Sequence, residues 1–197
     1  MRYDFLLETY ETERLKTLSV WSQVPEEWMD RRLEPRARTP REHMVHQCVS
    51  EDGWMKNMLG IDLGRPALPG EETKLAFLRW YAAGAAERLQ QLRAKPEEWF
   101  EGVTKFFGED RTRAWVLTRR LTHSAHHRGQ LNGLLRAEGR DLYSTYGPTA
   151  DTGGLPANGA RVIYRYPDER TLLESEERGG DWPELAGGGD KPVTERA

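Results

Sequence analysis

Cysteine is almost missing from this chain. Cys48 stands alone, so no internal disulfide can form, and a reducing cytoplasm is the expected location. A basic excess is missing as well: Lys and Arg total 29 against 32 Asp and Glu, a net charge of −3, which argues against a nucleic-acid partner. No apolar run approaches the ~20 residues that a membrane helix needs, so no membrane association is expected. The opening stretch MRYDFLLETYETERL lacks a small-residue cleavage site, and no signal peptide is expected. Histidine is scarce too. The five histidines fall in two places, His43 and His46, then His123, His126 and His127.

The chain has 197 residues, about one domain's length, with 37 % hydrophobic and 31 % charged residues. The patterning predicts an all-α domain. Phe5, Leu6, Leu15, Leu18 and Trp21 mark a first helix over 3–22. A second begins at Thr39-Pro40-Arg41-Glu42, which reads as N-cap, proline in the first turn and the glutamate of a capping box. Its expected apolar stripe is Val45, Val49 and Met55, and it stops at Gly60. The Gly- and Pro-rich IDLGRPALPG connects it to a third helix over 72–94. A fourth runs from about 110 to 138, with Gly139 as its stop. Residues 141–197 read as an irregular Gly- and Pro-rich extension: VIYRY suggests a short extended segment, and much of 178–197 is expected to be mobile. Most of the seven tryptophans are expected in the core.

The histidine pattern carries the chemistry. Positions i and i+4 on a helix differ by roughly 40°, so His123 and His127 point to one side. Val116, Leu117, Leu121, Leu131, Leu134 and Leu135 define the apolar arc of the fourth helix. His127 lies inside that arc, His123 at its edge and His126 outside it. On the second helix His46 falls at the margin of the expected stripe, about 60° from Val49, and His43 further round. His46 is therefore the better third ligand, and His43 the reserve. By itself an HxxxH pair also fits ordinary hydrogen-bonded histidines.

The stretch LTHSAHHRGQLNGLLRAEG resembles the signature helix of the DinB-like superfamily, which includes bacillithiol and mycothiol S-transferases. The matching pattern is His123, three residues, then His127-Arg128, one residue and Gln130; PREHMVHQCVSEDGWM is similar to the family's second helix, with His46 at the remaining ligand position. The resemblance covers about residues 1–140. It implies a four-helix bundle with a long crossover, a divalent metal (zinc or nickel foremost) on His46, His123 and His127, and a homodimer. The doubled His126-His127 allows a second register, although the pattern of residues that follows favours His127.

Three imidazoles leave a coordination position open, as in catalytic rather than structural sites. The resemblance thus points to a metal-dependent enzyme that activates a low-molecular-weight thiol for S-transfer to an electrophile. Two alternatives stand beside it. One is hydrolysis by metal-bound hydroxide with Glu51 or Glu42 as base, although Glu51 lies roughly 140° from His46 on the wheel and both acids read as solvated surface. The other is a non-enzymatic stress protein that binds a metal or small ligand. Gln130 and Arg128 are candidate cofactor or thiol contacts; Gln130 could equally orient a ligand, and Arg128 could pair with an acid on a neighbouring helix. Cys48 reads as a small core residue.

Overall fold

The computed structural model describes residues 2–187. Four long helices make the frame: α1 (Asp4–Ser22), α2 (Pro40–Leu59), α3 (Lys74–Arg93) and α5 (Arg113–Ala137). A one-turn helix, α4 (Glu97–Glu101), and a hairpin of β1 (Val103–Phe106) and β2 (Glu109–Thr112) lie between α3 and α5. A last helix, α6 (Glu169–Glu177), belongs to the C-terminal extension.

The helix ends follow from local chemistry. Thr39 accepts from the Glu42 backbone N–H while the Glu42 carboxylate accepts from Thr39 N (2.8 Å), a complete capping box ahead of Pro40. Gly60 ends α2 in the left-handed conformation at φ 65°, which a side chain would resist. Thr73, Thr112 and Asp168 cap α3, α5 and α6, each side chain accepting from the backbone N–H three residues on.

Side-chain pairs fix the topology. His43 meets His127, and Ser50 meets Arg120, so α2 and α5 run antiparallel. Trp21 packs on Phe77 while Glu11 pairs with Arg93, so α1 and α3 are antiparallel as well. α2 and α3 run side by side in the same direction, because Arg41 reaches Glu72 near both N-termini and Arg88 reaches Asp52 further along. Residues 60–73 therefore form the crossover that returns the chain along α3, held by Trp80 Nε1 donating to Ala67 O (3.1 Å). The architecture is the expected all-α bundle with a long crossover. Its core includes Leu18, Trp21, Met44, Met55, Phe77, Leu78, Leu117 and Leu131, all fully buried. Each such side chain contributes about 1.5–3 kcal/mol relative to exposure.

Several sequence expectations change. Val49 is 46 % exposed, and the buried face of α2 is instead His43, Met44, Gln47, Cys48, Glu51, Met55 and Leu59. That face is half polar, so an apolar stripe points in the wrong direction. Of the tryptophans only Trp21 is fully buried. Phe5 is also exposed, and Leu15 lies at the surface margin. The hairpin was not foreseen: its strands are four residues each and largely polar, turned by Phe107 (φ 48°) and Gly108 (φ 93°).

Within the extension, Ile163 pairs with Ser144 (N···O 2.8 Å), and α6 packs on α1 and α3. Buried Arg165 pairs with buried Glu176 (2.9 Å) and lies over the Trp182 ring, while Asp151 joins Arg136 to the Leu142 backbone. Residues 178–187 include Pro183, whose carbonyl accepts from Tyr143, and Gly187, which donates to Asp151 O. The rest of the segment expected to be mobile, 188–197, lies outside the described residues.

Candidate metal centre

His46 projects from the second turn of α2 toward α5, where His123 and His127 sit one turn apart. Their Nε2 atoms converge: His127 to His123 is 3.2 Å, and His46 to His123 is 3.4 Å. One ligand atom from each lies within 4.8 Å of the others, and among the described residues this is the group with the geometry to hold a metal ion. Nitrogens bound tetrahedrally at ~2.0–2.1 Å stand roughly 3.3–3.4 Å apart, close to the two measured separations.

The three are positioned differently. His127 is buried, His46 and His123 half-buried, and His126 exposed, which matches the order around the α5 wheel. His43 is more buried than the wheel suggested, with its ring 5.4 Å from that of His127 and its Nδ1 without a partner. Burial, reinforced by nearby positive charge, keeps the imidazoles neutral. His127 is pushed down to about 3, and His123 and His43 to about 4, desolvation being the largest cause in each. His46 is lowered for the same reason, with Arg38 and Arg120 adding to it. Neutral rings are the form that binds a metal.

Groups behind the rings set which nitrogen is free. His127 Nδ1–H donates to Gln130 Oε1 (3.0 Å), which leaves the Nε2 lone pair directed into the cluster, the usual arrangement behind a metal-bound histidine. His123 is different. Arg120 Nη1 lies 3.1 Å from its Nδ1, and a guanidinium can only donate, so Nε2 carries the proton and donates within the cluster. A neutral His123 holding a metal through Nε2 would carry its proton on Nδ1, and Arg120 would then give up this bond while keeping Ser50 Oγ (2.8 Å) and Ser124 Oγ (3.1 Å). The donor set fits a divalent metal, with this one tautomer change.

The remaining candidates are placed as follows. Arg128 is buried and bonded to Glu13, Thr17 Oγ1 (3.0 Å) and the Tyr146 hydroxyl, so it fastens α5 to α1 and the extension. Glu51 is not solvated surface. It is 1 % exposed, accepts from Tyr10 (2.6 Å) and Tyr81 (3.1 Å), and lies near Arg120 and Arg88 (3.6 and 3.7 Å). Glu42 is held by the capping box and Arg32 (2.6 Å). Cys48 is core, its thiol pushed up to about 12 by burial.

An aromatic wall stands beside the cluster, and sequence reasoning missed it. Trp54 lies 5.3 Å from the His123 ring and contacts Phe106 and Phe107 of the hairpin, and Phe106 contacts Trp115. On the His127 side a cavity of about 510 Å³ opens beyond His43 and Gln130. The one available signal was Trp54 eight residues after His46, on the same helix.

Fold and site together define a helical bundle with three histidines on two antiparallel helices, placed to bind a metal ion. The DinB superfamily profile matches residues 9–131, and this chain belongs to that superfamily. Among solved structures, a DinB-like protein from Bacillus cereus superposes with a TM-score of 0.62 at 17 % identity, over 72 % of this chain and 95 % of that one. No curated protein matches the chain. Among the described residues, no helix is long and apolar enough to cross a membrane.

Proposed function

We propose that this protein is a metal-dependent thiol S-transferase, with His46, His123 and His127 as ligands to a zinc or nickel ion. The observation that carries the reading is the donor set: three neutral imidazoles, with no protein carboxylate or thiolate joining them among the described residues. Such a set leaves a divalent charge unneutralised and favours an anionic exogenous ligand. A metal bound there would supply Lewis acidity, holding a small thiol as its thiolate at neutral pH. The protein's own groups do the rest. Gln130 orients His127, and Trp54 with Phe106 offers an apolar surface suited to an electrophile.

Hydrolysis is less well supported, because Glu51 and Glu42 are committed to core and cap and neither offers a base at the cluster. Family resemblance adds a homodimer, and the single cysteine a cytoplasmic setting, as parts of the proposal. The test is consumption of a small thiol with a model electrophile such as 1-chloro-2,4-dinitrobenzene by zinc- or nickel-loaded protein. Turnover lost in His123→Ala and on chelation supports the reading. Equal rates with and without loaded protein would refute it and leave metal or ligand sequestration.

A further inference from the structure

The cavity beside His127 carries charge of one sign. It is lined by Arg36, Arg38, His43 and Gln130 with Leu33 and Leu134, and no acidic side chain lines it. At about 510 Å³ it has the size of a small-molecule site. Two of its lining residues touch the metal cluster directly: Gln130 through its bond to His127 Nδ1, and His43 through ring contact with His127. Arg38 has no ion-pair partner among the described residues, although arginines around it do; Arg36 pairs with Glu34 and Arg32 with Glu42. Arg38 is near enough for its charge to act on Glu42, His43 and His46, without forming an ion pair with Glu42. Arg38 is exposed on its loop, so its guanidinium is free to meet an anion that enters this basic cavity.

We infer that this cavity binds a carboxylate carried by the thiol, with Arg38 as its main charge partner and His43 and Gln130 completing the polar wall. The inference rests on the thiol reading above and deepens it: the preferred thiol is acidic, not neutral. Arg38 enters from the 30–39 loop, so it selects the substrate without touching the reacting sulfur. A guanidinium meets a carboxylate in a charge-assisted, often two-pronged hydrogen bond, stronger than a neutral one.

The test uses cobalt-loaded protein, in which a thiolate bound to the metal gives a sulfur-to-cobalt charge-transfer band. N-acetylcysteine and N-acetylcysteamine differ only by a carboxylate, and each is titrated while the band is followed. The expected result is roughly tenfold tighter binding of N-acetylcysteine, in line with a hydrogen bond to a charged group. In Arg38→Gln that preference falls to about unity while N-acetylcysteamine binds as before. Gly133→Phe is the second variant. Gly133 lines the cavity and an added Cβ there meets nothing within 4 Å, so the position admits a side chain, and a ring meant to occupy the cavity is expected to abolish the preference again. Circular dichroism and cobalt stoichiometry confirm that both variants fold and load. Equal affinity for the two thiols in wild type, or a preference unchanged in both variants, overturns the carboxylate site and leaves the transferase reading standing. Loaded protein that gives no band with either thiol overturns both.

Discussion

Replacing Gln130 by Leu isolates the contribution of a residue that touches the metal only through a histidine. Gln130 Oε1 accepts from His127 Nδ1 at 3.0 Å, and its side chain is otherwise exposed. The change removes one acceptor, leaves no buried group unsatisfied beyond that ring nitrogen, and keeps helix propensity nearly constant. Stability of the metal-free protein is therefore expected to fall by about 1 kcal/mol, the lower end of the cost of an unpaired buried donor. Metal affinity responds more strongly, because the acceptor fixes the tautomer and raises the basicity of Nε2. Losing such a partner costs ~10–100-fold in affinity, or about 1.4–2.7 kcal/mol. Gln130→Glu supplies an anionic acceptor in the same place, so it is expected to bind metal at least as tightly as wild type. The assay is competition for zinc against a chromophoric chelator at neutral pH, with thermal unfolding of each metal-free variant alongside. Zinc affinity of Gln130→Leu within about twofold of wild type would refute the orientation argument, since it lies well below that range.

Other perturbations have equally definite outcomes. Arg128→Met strips the buried Glu13 carboxylate of its guanidinium and is expected to cost about 3–5 kcal/mol of unfolding free energy by calorimetry; Glu13 keeps Lys16 and Tyr146, so the lower end is expected. Metal-free protein should lose stability as pH falls from about 6.5 to about 4. His43, His123 and His127 are depressed when folded, so the unfolded chain takes up protons first, and denaturant midpoints that stay flat over that window would contradict their burial as neutral rings. Copper or nickel bound beside His123 should quench Trp54 emission, and Trp54→Phe should remove most of that quenching in a fluorescence titration.

The parts of the molecule that were legible in sequence are those governed by local rules. Thr39-Pro40-Arg41-Glu42 specifies its own cap, and Gly60 its own stop, whatever surrounds them. The α5 histidines were legible because Leu117, Leu121, Leu131 and Leu135 leave no doubt about the inward direction. α2 was harder. Its inward face carries His43, Gln47 and Glu51, and Tyr10, Tyr81, Arg88 and Arg120 from three other helices surround the Glu51 carboxylate. No spacing rule on α2 alone could show that, so Val49 was given the core position and Glu51 the surface. The same reason hid the cavity and the aromatic wall: each is assembled from residues distant in sequence, Arg38 with Gln130 and Trp54 with Phe106. The extension illustrates the opposite limit. Its Gly-rich composition suggested little order, but Arg165, Glu176, Tyr166 and Trp182 form a polar and aromatic anchor within it.

The central claim is that His46, His123 and His127 together hold one metal ion. Metal content of the purified, untagged protein, measured by elemental analysis beside a His123→Ala/His127→Ala variant, tests it most directly. The account predicts close to one transition-metal ion per chain in the wild type and almost none in the variant. Wild-type protein that stays metal-free after incubation with zinc and with nickel would contradict it, and the three converging nitrogens would then be a hydrogen-bonded cluster with no catalytic part.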